Sequence, residues 1–345
     1  MSDMTMGGVK RLVGLDLVRS CAILFVIAGH FFLNTPFMKT EFLGVSMHLQ
    51  AIVRTFFSIG VPLFIMLTGY LNANKALTKS YFHGIWRVLI AYLFFSVITI
   101  LFREFCLHED LSVFQWTHKV LGYSAIPYAW YIEMWIGLFL VIPFLNIAYK
   151  GLQRRKDKFL LIFILYVLTA VPDLFNRYGM HIVPGYWQAC YPLMFYFAGC
   201  YIREYRPSIK PLYLILAIAA CCLVNPIFNL LFISHRPLLQ VAGGFSGVFG
   251  TIIAIAFFSL IYKVDVKNTA VTRALTRISL LSLDMYLCSY IFDAIYYPWF
   301  KEHCYVSQQQ FGIYFFVLVP LVFVSSFTLA QLKAWLFQAI RLFRF

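Results

Sequence analysis

Charge is the scarce ingredient of this sequence. Only 12% of its 345 residues are Asp, Glu, Lys or Arg, about half the share of an ordinary soluble domain. Long polar loops are missing as well. The longest stretch between apolar runs, residues 104–127, is too short for a soluble module; it has room for an interfacial helix, LSVFQWTHKVLG. The eight cysteines form no CxxC pair and no zinc-ligand spacing, so neither a redox motif nor a metal site is expected. Cys21, Cys190, Cys200, Cys221, Cys222 and Cys288 fall in apolar runs and read as small buried groups, whereas Cys106 and Cys304 lie between runs and could pair. Apolar and polar residues do not alternate in ten-residue segments, which excludes a transmembrane barrel. No internal repeat of fixed period is visible.

Hydrophobic residues, at 62%, fill the space that charge leaves, with 37 Phe and 22 Tyr and a mean hydropathy of +0.80. Apolar runs of about 20 residues are the length of a helix that crosses a bilayer. Dividing the chain at its charge clusters gives ten spans, near 12–33, 50–72, 84–103, 128–149, 159–175, 188–202, 211–233, 239–262, 278–298 and 311–332. The fold expected is an all-α polytopic membrane protein: one integral-membrane domain over 1–345, no soluble domain, and both ends in the cytoplasm. All of the 28 basic residues except Lys39, Arg54, Arg103, Lys119, Arg177, Arg236 and Lys301 then fall on the cytoplasmic side, a positive-inside bias. The net charge of +14 is accounted for by this topology, and no nucleic-acid partner is expected. The leading MSDMTMGGVKR resembles the start of a signal peptide, but no small-residue cleavage site follows it, so the first span is expected to be retained.

The few ionisable groups inside spans are therefore informative. Arg19 and His30, eleven positions apart in the first span, are separated by only about 20° around a helix and by roughly 16–17 Å along it. Asp16 falls near the same line. Such groups cost about 2.5–3.5 kcal/mol each at a bilayer centre, so this row should face a polar interior. Counting residues from the span ends sorts the rest into two layers. Asp16, Arg19, Arg87 and Asp284 lie toward the cytoplasm, and His30, Arg54, Glu133 and Asp293 toward the outside.

Arg-x10-His in the first span resembles the signature of the bacterial integral-membrane acyltransferase-3 family. SIGVPLFIMLTGYL (58–71) is similar to that family's V-P-L-F-F-x-x-S-G-Y-L segment, with Thr68 where Ser is usual. WRVLIAYLF (86–94) resembles R-x-L-x-P-Y with Ala91 at the Pro, and AWYIEMWIGLFLVIPFL (129–145) resembles W-[FY]-L-x-x-L-x-G-L-Y-L-x-x-P. SLDMYLCSYIF (282–292) is similar to G-I-Y-L-x-H-P, with Ser289 where His is common. The matches run in order from near residue 13 to about 300.

The resemblance implies a multi-pass protein of the bacterial inner (plasma) membrane. It implies transfer of an acyl group, usually acetyl, from cytoplasmic acyl-CoA to a hydroxyl of a cell-envelope carbohydrate or glycolipid. Acetyl-CoA or another acyl-CoA (succinyl included) is then a donor substrate, and no bound cofactor is expected beside it. His30 takes the catalytic position, Arg19 its companion, and Arg87 a basic position of the third span.

Residue chemistry supplies roles for these groups. A sugar hydroxyl attacks a thioester poorly until its proton is removed, and an imidazole titrating near neutrality suits that task. His30 is the general base or, alternatively, a covalent relay that carries the acyl group itself. Glu133, at similar depth, is a candidate to orient the ring. Arg19 and Arg87 would hold coenzyme A phosphates, and Arg54 or Tyr131 would stabilise the oxyanion. Asp16 and Asp284 complete the candidate binding set, although each could instead simply brace Arg19. Asp293 receives no role. A transporter or flippase for a glycan or lipid precursor is the alternative, since buried charges also mark transport paths. Surrounding lipid is the other expected partner, and the sequence assigns no oligomeric state.

Overall fold

Among the described residues the apolar runs form helices, and the helix ends follow the punctuation of the sequence. The computed structural model describes residues 12–176, 181–233 and 244–340. Arg177, Arg236, the MSDMTMGGVKR leader and the first residues of the span expected at 239–262 lie outside the described residues. The main helices are α1 (Val13–Asn34), α2 (Gly44–Phe57), α3 (Gly60–Asn72), α4 (Ile85–Leu107), α5 (Val113–Leu121) and α6 (Trp130–Gly151). They continue as α7 (Arg155–Thr169), α8 (Tyr191–Tyr205), α9 (Pro211–Ile233), α10 (Val248–Ile261), α11 (Thr269–Cys304) and α12 (Phe315–Ala339). Among the described residues there is no strand. The protein is an all-α, multi-pass membrane protein. Among the described residues, seven helical stretches are long and apolar enough to cross a membrane, and Pro211–Ile227 and Val248–Ile261 are shorter apolar helices.

The second span is broken where its proline requires it. Pro62 lies in the first turn of α3, and the helix is interrupted at Ser58 and Ile59. A proline ring within a continuous helix would clash with the carbonyl four residues earlier, here that of Ser58, and would lack the N–H to bond it. Placing Pro62 at a helix start removes both costs. The expected interfacial helix is α5, closed by a capping box in which Ser112 and Gln115 bond each other's backbone, and it buries none of its residues. All eight cysteines are free thiols, Cys106 and Cys304 included.

Two crossings organise the bundle. α3 and α8 meet at Gly69 and Gly199, where a Cβ on Gly69 would strike the Tyr196 carbonyl and one on Gly199 the Met66 carbonyl. Only glycine on both helices lets their backbones touch. The other crossing joins α1 to α11. Ser20 Oγ donates to the Leu275 carbonyl at 3.2 Å and Arg19 Nη1 to Ser279 Oγ at 3.4 Å. Further along, His30 meets Asp293, so the two helices run parallel. α12 returns antiparallel along α11, pairing Lys333 with Asp284 and Tyr296 with Ser325. Helix α1 is the most enclosed of the long helices: 67% of its most apolar window is buried, against 22% for Arg155–Phe175. Its polar face therefore looks into protein, and the bundle has an arginine end and a histidine end.

Candidate active site

At the histidine end, His30 is buried in a niche built by three elements. Its Nδ1 stands 3.5 Å from Asp293 Oδ2 on α11, longer than a formed hydrogen bond but close enough for a direct charge interaction. The turn before α6 brings Tyr128 flat against the imidazole, with ring centroids 3.7 Å apart and planes at 28°. The Tyr128 hydroxyl donates to the same Asp293 oxygen at 2.8 Å. Asn34, one turn past His30, donates to the Tyr128 hydroxyl at 2.8 Å and reaches Asp293 Oδ2 at 3.3 Å. Asp293 is 2% exposed, and these donors replace the water its carboxylate gives up. The turn carrying Tyr128 is pinned from α4: Arg103 pairs with Glu109 at 2.7 Å and donates to the Ala125 carbonyl at 3.3 Å. Ala125, Ile126 and Ala129 are fully buried beneath it.

Below the niche a cavity of about 320 Å³ runs toward the arginine end, lined there by Arg19, Arg87, Asn72 and Ser279. Its far end is apolar and aromatic, with Val26, Val61, Phe64, Ile132, Tyr131 and Tyr286. Val26 precedes His30 by four residues on the same face of α1, so the cavity stops about one turn short of the imidazole. The partition between them is tyrosine. Tyr286 hydrogen-bonds the Tyr128 carbonyl, and Tyr131 packs edge-on against Tyr286 with centroids 5.7 Å apart. Gly60 shapes the wall, because a Cβ there would come within 2.8 Å of the Ala22 carbonyl and of Val26. Its absence lets α3 press on α1 and leaves Val61 and Val26 side by side on the cavity.

The candidates picked from sequence separate into those that this arrangement gathers and those that it does not. Arg19, Arg87 and Tyr131 share the cavity, and Arg19 lies within electrostatic reach of the Tyr131 hydroxyl. Asp16 is buried on the α1–α11 seam, accepting from Thr276 Oγ1 at 3.1 Å. Asp284 pairs with Lys333 Nζ at 2.5 Å and is near enough to Arg87 to feel its charge. Arg54 is half-buried on α2 and is not part of the cavity lining. The expectation that Glu133 orients the imidazole is corrected. Glu133 projects from an exposed position of α6, and the carboxylate beside His30 belongs to Asp293. Depth put both acids in one layer with His30, but only helix neighbours distinguish them: α11 packs along α1. Asn34, Tyr128, Tyr286 and Lys333 were also missed. Only Asn34 carried a usable signal, one turn beyond His30 on the same helix. Among the described residues no group of three or more His, Cys, Asp or Glu is arranged to hold a metal ion.

Chemically, the niche offers an imidazole whose Nδ1 edge faces a buried carboxylate. That arrangement favours the proton on Nδ1 and leaves the Nε2 lone pair available. The cavity offers two guanidinium groups at one end and an apolar, aromatic lining toward the niche. Comparison with known proteins adds a family: the sequence profile described as an Acyltransferase domain matches residues 12–334. No curated protein and no solved structure matches the chain.

Proposed function

The chain belongs to the acyltransferase-3 family and is a membrane acyltransferase; from that premise, we propose that it moves an acetyl group from cytoplasmic acetyl-CoA to a hydroxyl of a cell-envelope or exported glycan. The observation that carries this reading is the Asp293–His30 pair, held by Tyr128 and Asn34 one turn beyond a cavity that begins at Arg19 and Arg87. A buried carboxylate, an imidazole and a nearby cavity with two guanidinium groups at its far end are parts that transfer from an anionic thioester donor requires.

In the proposed step, Nε2 of His30 takes the proton of the acceptor hydroxyl as its oxygen bonds to the thioester carbonyl carbon. The carbon–sulfur bond then breaks, and the coenzyme A thiolate leaves with the proton that the imidazolium returns. Asp293 keeps the ring in the tautomer that can accept that proton and stabilises the cation it becomes. Tyr131, at the apolar end of the cavity, would hydrogen-bond the carbonyl oxygen as it gains charge. Arg19 and Arg87 hold donor phosphates. The positive-inside bias of the sequence supports an arginine end on the cytoplasmic side of a bacterial inner membrane, with the acceptor approaching from the histidine end. In the covalent variant of the same reading, Nε2 attacks the thioester first and the acceptor hydroxyl takes the acyl group from it.

The test is turnover of radiolabelled acetyl-CoA by the purified, reconstituted protein with envelope glycan as acceptor. His30→Ala is expected to lower transfer by about 10²–10⁴-fold, the usual worth of a positioned base. Wild-type turnover by that variant would overturn the assignment.

A further inference from the structure

The acceptor of this transfer is a chain of sugars, and only one of its rings can sit at His30. The neighbouring rings need a surface of their own. A space of about 600 Å³ opens beside the segment that joins α7 to α8, lined by Asp173, Asn176, His181, Gly185, Tyr186 and Gln188. Contacts place it at the histidine end. Lys158, near the start of α7, meets Glu204, near the close of α8, at 2.7 Å, so the two helices are antiparallel and residues 172–188 lie at their opposite end. There Tyr191, which opens α8, packs edge-on against Phe245 with centroids 5.3 Å apart, and Phe245 stacks on Trp130 at 5.9 Å. Trp130 begins α6 two residues beyond Tyr128, the ring that covers His30.

The walls of this space are fixed by hydrogen bonds within the protein. Asn176 donates to the Val183 carbonyl at 2.5 Å and accepts from the Val183 N–H at 2.9 Å. The Gln188 N–H reaches the Gly185 carbonyl at 3.3 Å. Gly247 abuts Asp173, where a Cβ would strike the carboxylate, so the turn before α10 closes against the same wall. The side chains presented are a carboxylate, an imidazole, an amide and a phenol. Sugar hydroxyls donate and accept at once, and groups of these kinds pair with them. The C–H face of a sugar ring rests on an aromatic face. Tyr186 is 94% exposed, with half-exposed Trp187 beside it. Rigid aromatic rings among adaptable polar groups form a contact surface of low entropic cost.

We propose that this space is a second subsite for the acceptor, taking sugar rings of the glycan that neighbour the one at His30. Tyr186 stacks on a ring face, Gln188 and Asp173 bind ring hydroxyls, and Trp130 guides the chain toward the niche. The inference rests on the glycan-acceptor reading and adds to it a place of binding and a preference for chains over single sugars.

Acceptor length tests the subsite. The probe is the envelope glycan of the turnover assay, partially hydrolysed and separated into single sugars and longer oligosaccharides. With saturating radiolabelled acetyl-CoA, kcat/KM per sugar residue is measured for each fraction in the wild type, Tyr186→Ala and Gln188→Ala. The wild type is expected to favour the oligosaccharides by about tenfold, and each variant to lower that ratio by roughly three- to tenfold, the usual worth of one stacking or hydrogen-bonding contact. A wild-type ratio near one overturns the subsite. So does a ratio unchanged in both variants, as rings that only anchor the protein at the membrane surface would give; transfer to glycan stands in either case. A wild-type protein that turns over acetyl-CoA with neither fraction overturns the glycan reading and the subsite together.

Discussion

Tyr128 lies flat on the His30 imidazole, centroids 3.7 Å apart, and its hydroxyl reaches past the ring to donate to Asp293 at 2.8 Å. One side chain thus fixes both the plane of the imidazole and the carboxylate that faces it. The two functions can be separated by substitution. Asp293→Asn keeps the volume but removes the charge that favours the productive tautomer, and transfer should fall by about 10²–10⁴-fold. Tyr128→Phe keeps the stacked ring and removes one hydrogen bond to the carboxylate, so the fall should be nearer tenfold. Steady-state kcat with acetyl-CoA checks both, and equal losses in the two variants would mean that Tyr128 does more than hold Asp293.

Glu133 supplies the contrasting case and shows how far the sequence could be read. Span positions were legible because apolar runs, charge clusters and prolines report directly on where a helix begins and stops. Among the described residues, seven of the ten runs became helices long and apolar enough to cross a membrane and two became shorter apolar helices, with Pro62 dividing one of the seven. The same-face relation of Arg19 and His30 was legible because it lies within one helix. Contacts between helices were not: Glu133 and Asp293 sit at equal depth, and nothing in the pattern of a span names its neighbour. With Glu133 exposed on α6, Glu133→Gln should retain at least half of wild-type transfer, within the small range usual for exposed substitutions. A loss as large as that of Asp293→Asn would return Glu133 to the site.

The α3–α8 crossing makes a prediction about stability rather than chemistry. Gly69 and Gly199 each face a backbone carbonyl of the other helix at a distance that no Cβ can occupy. Gly199→Val must push the helices apart, and overpacking of this kind costs about 1–3 kcal/mol or more. Thermal unfolding in detergent should therefore shift downward. Gly137, where an added methyl would meet nothing within 4 Å, provides the control: Gly137→Ala should hold or raise the transition, since alanine favours helix by roughly 0.8–1.0 kcal/mol. A crossing that tolerated valine would show that the close approach is not required.

Lys333 and Asp284 help join α12 to α11 through a short ion pair at 2.5 Å, with side chains 8% and 17% exposed. Breaking such a pair from one side leaves a charge with poor access to water, and the cost is about 3–5 kcal/mol. Lys333→Met should therefore lower the unfolding midpoint markedly. Lys333→Met combined with Asp284→Asn should recover most of that loss, because the penalty comes from the stranded carboxylate rather than from a missing attraction. The double variant also separates stability from charge placement. Removing both partners removes equal and opposite charges and leaves Arg19 and Arg87 on the cavity lining, so the recovered protein should bind acetyl-CoA within a few-fold of wild type. If binding instead fell tenfold or more, the ammonium of Lys333 would itself have to touch the donor.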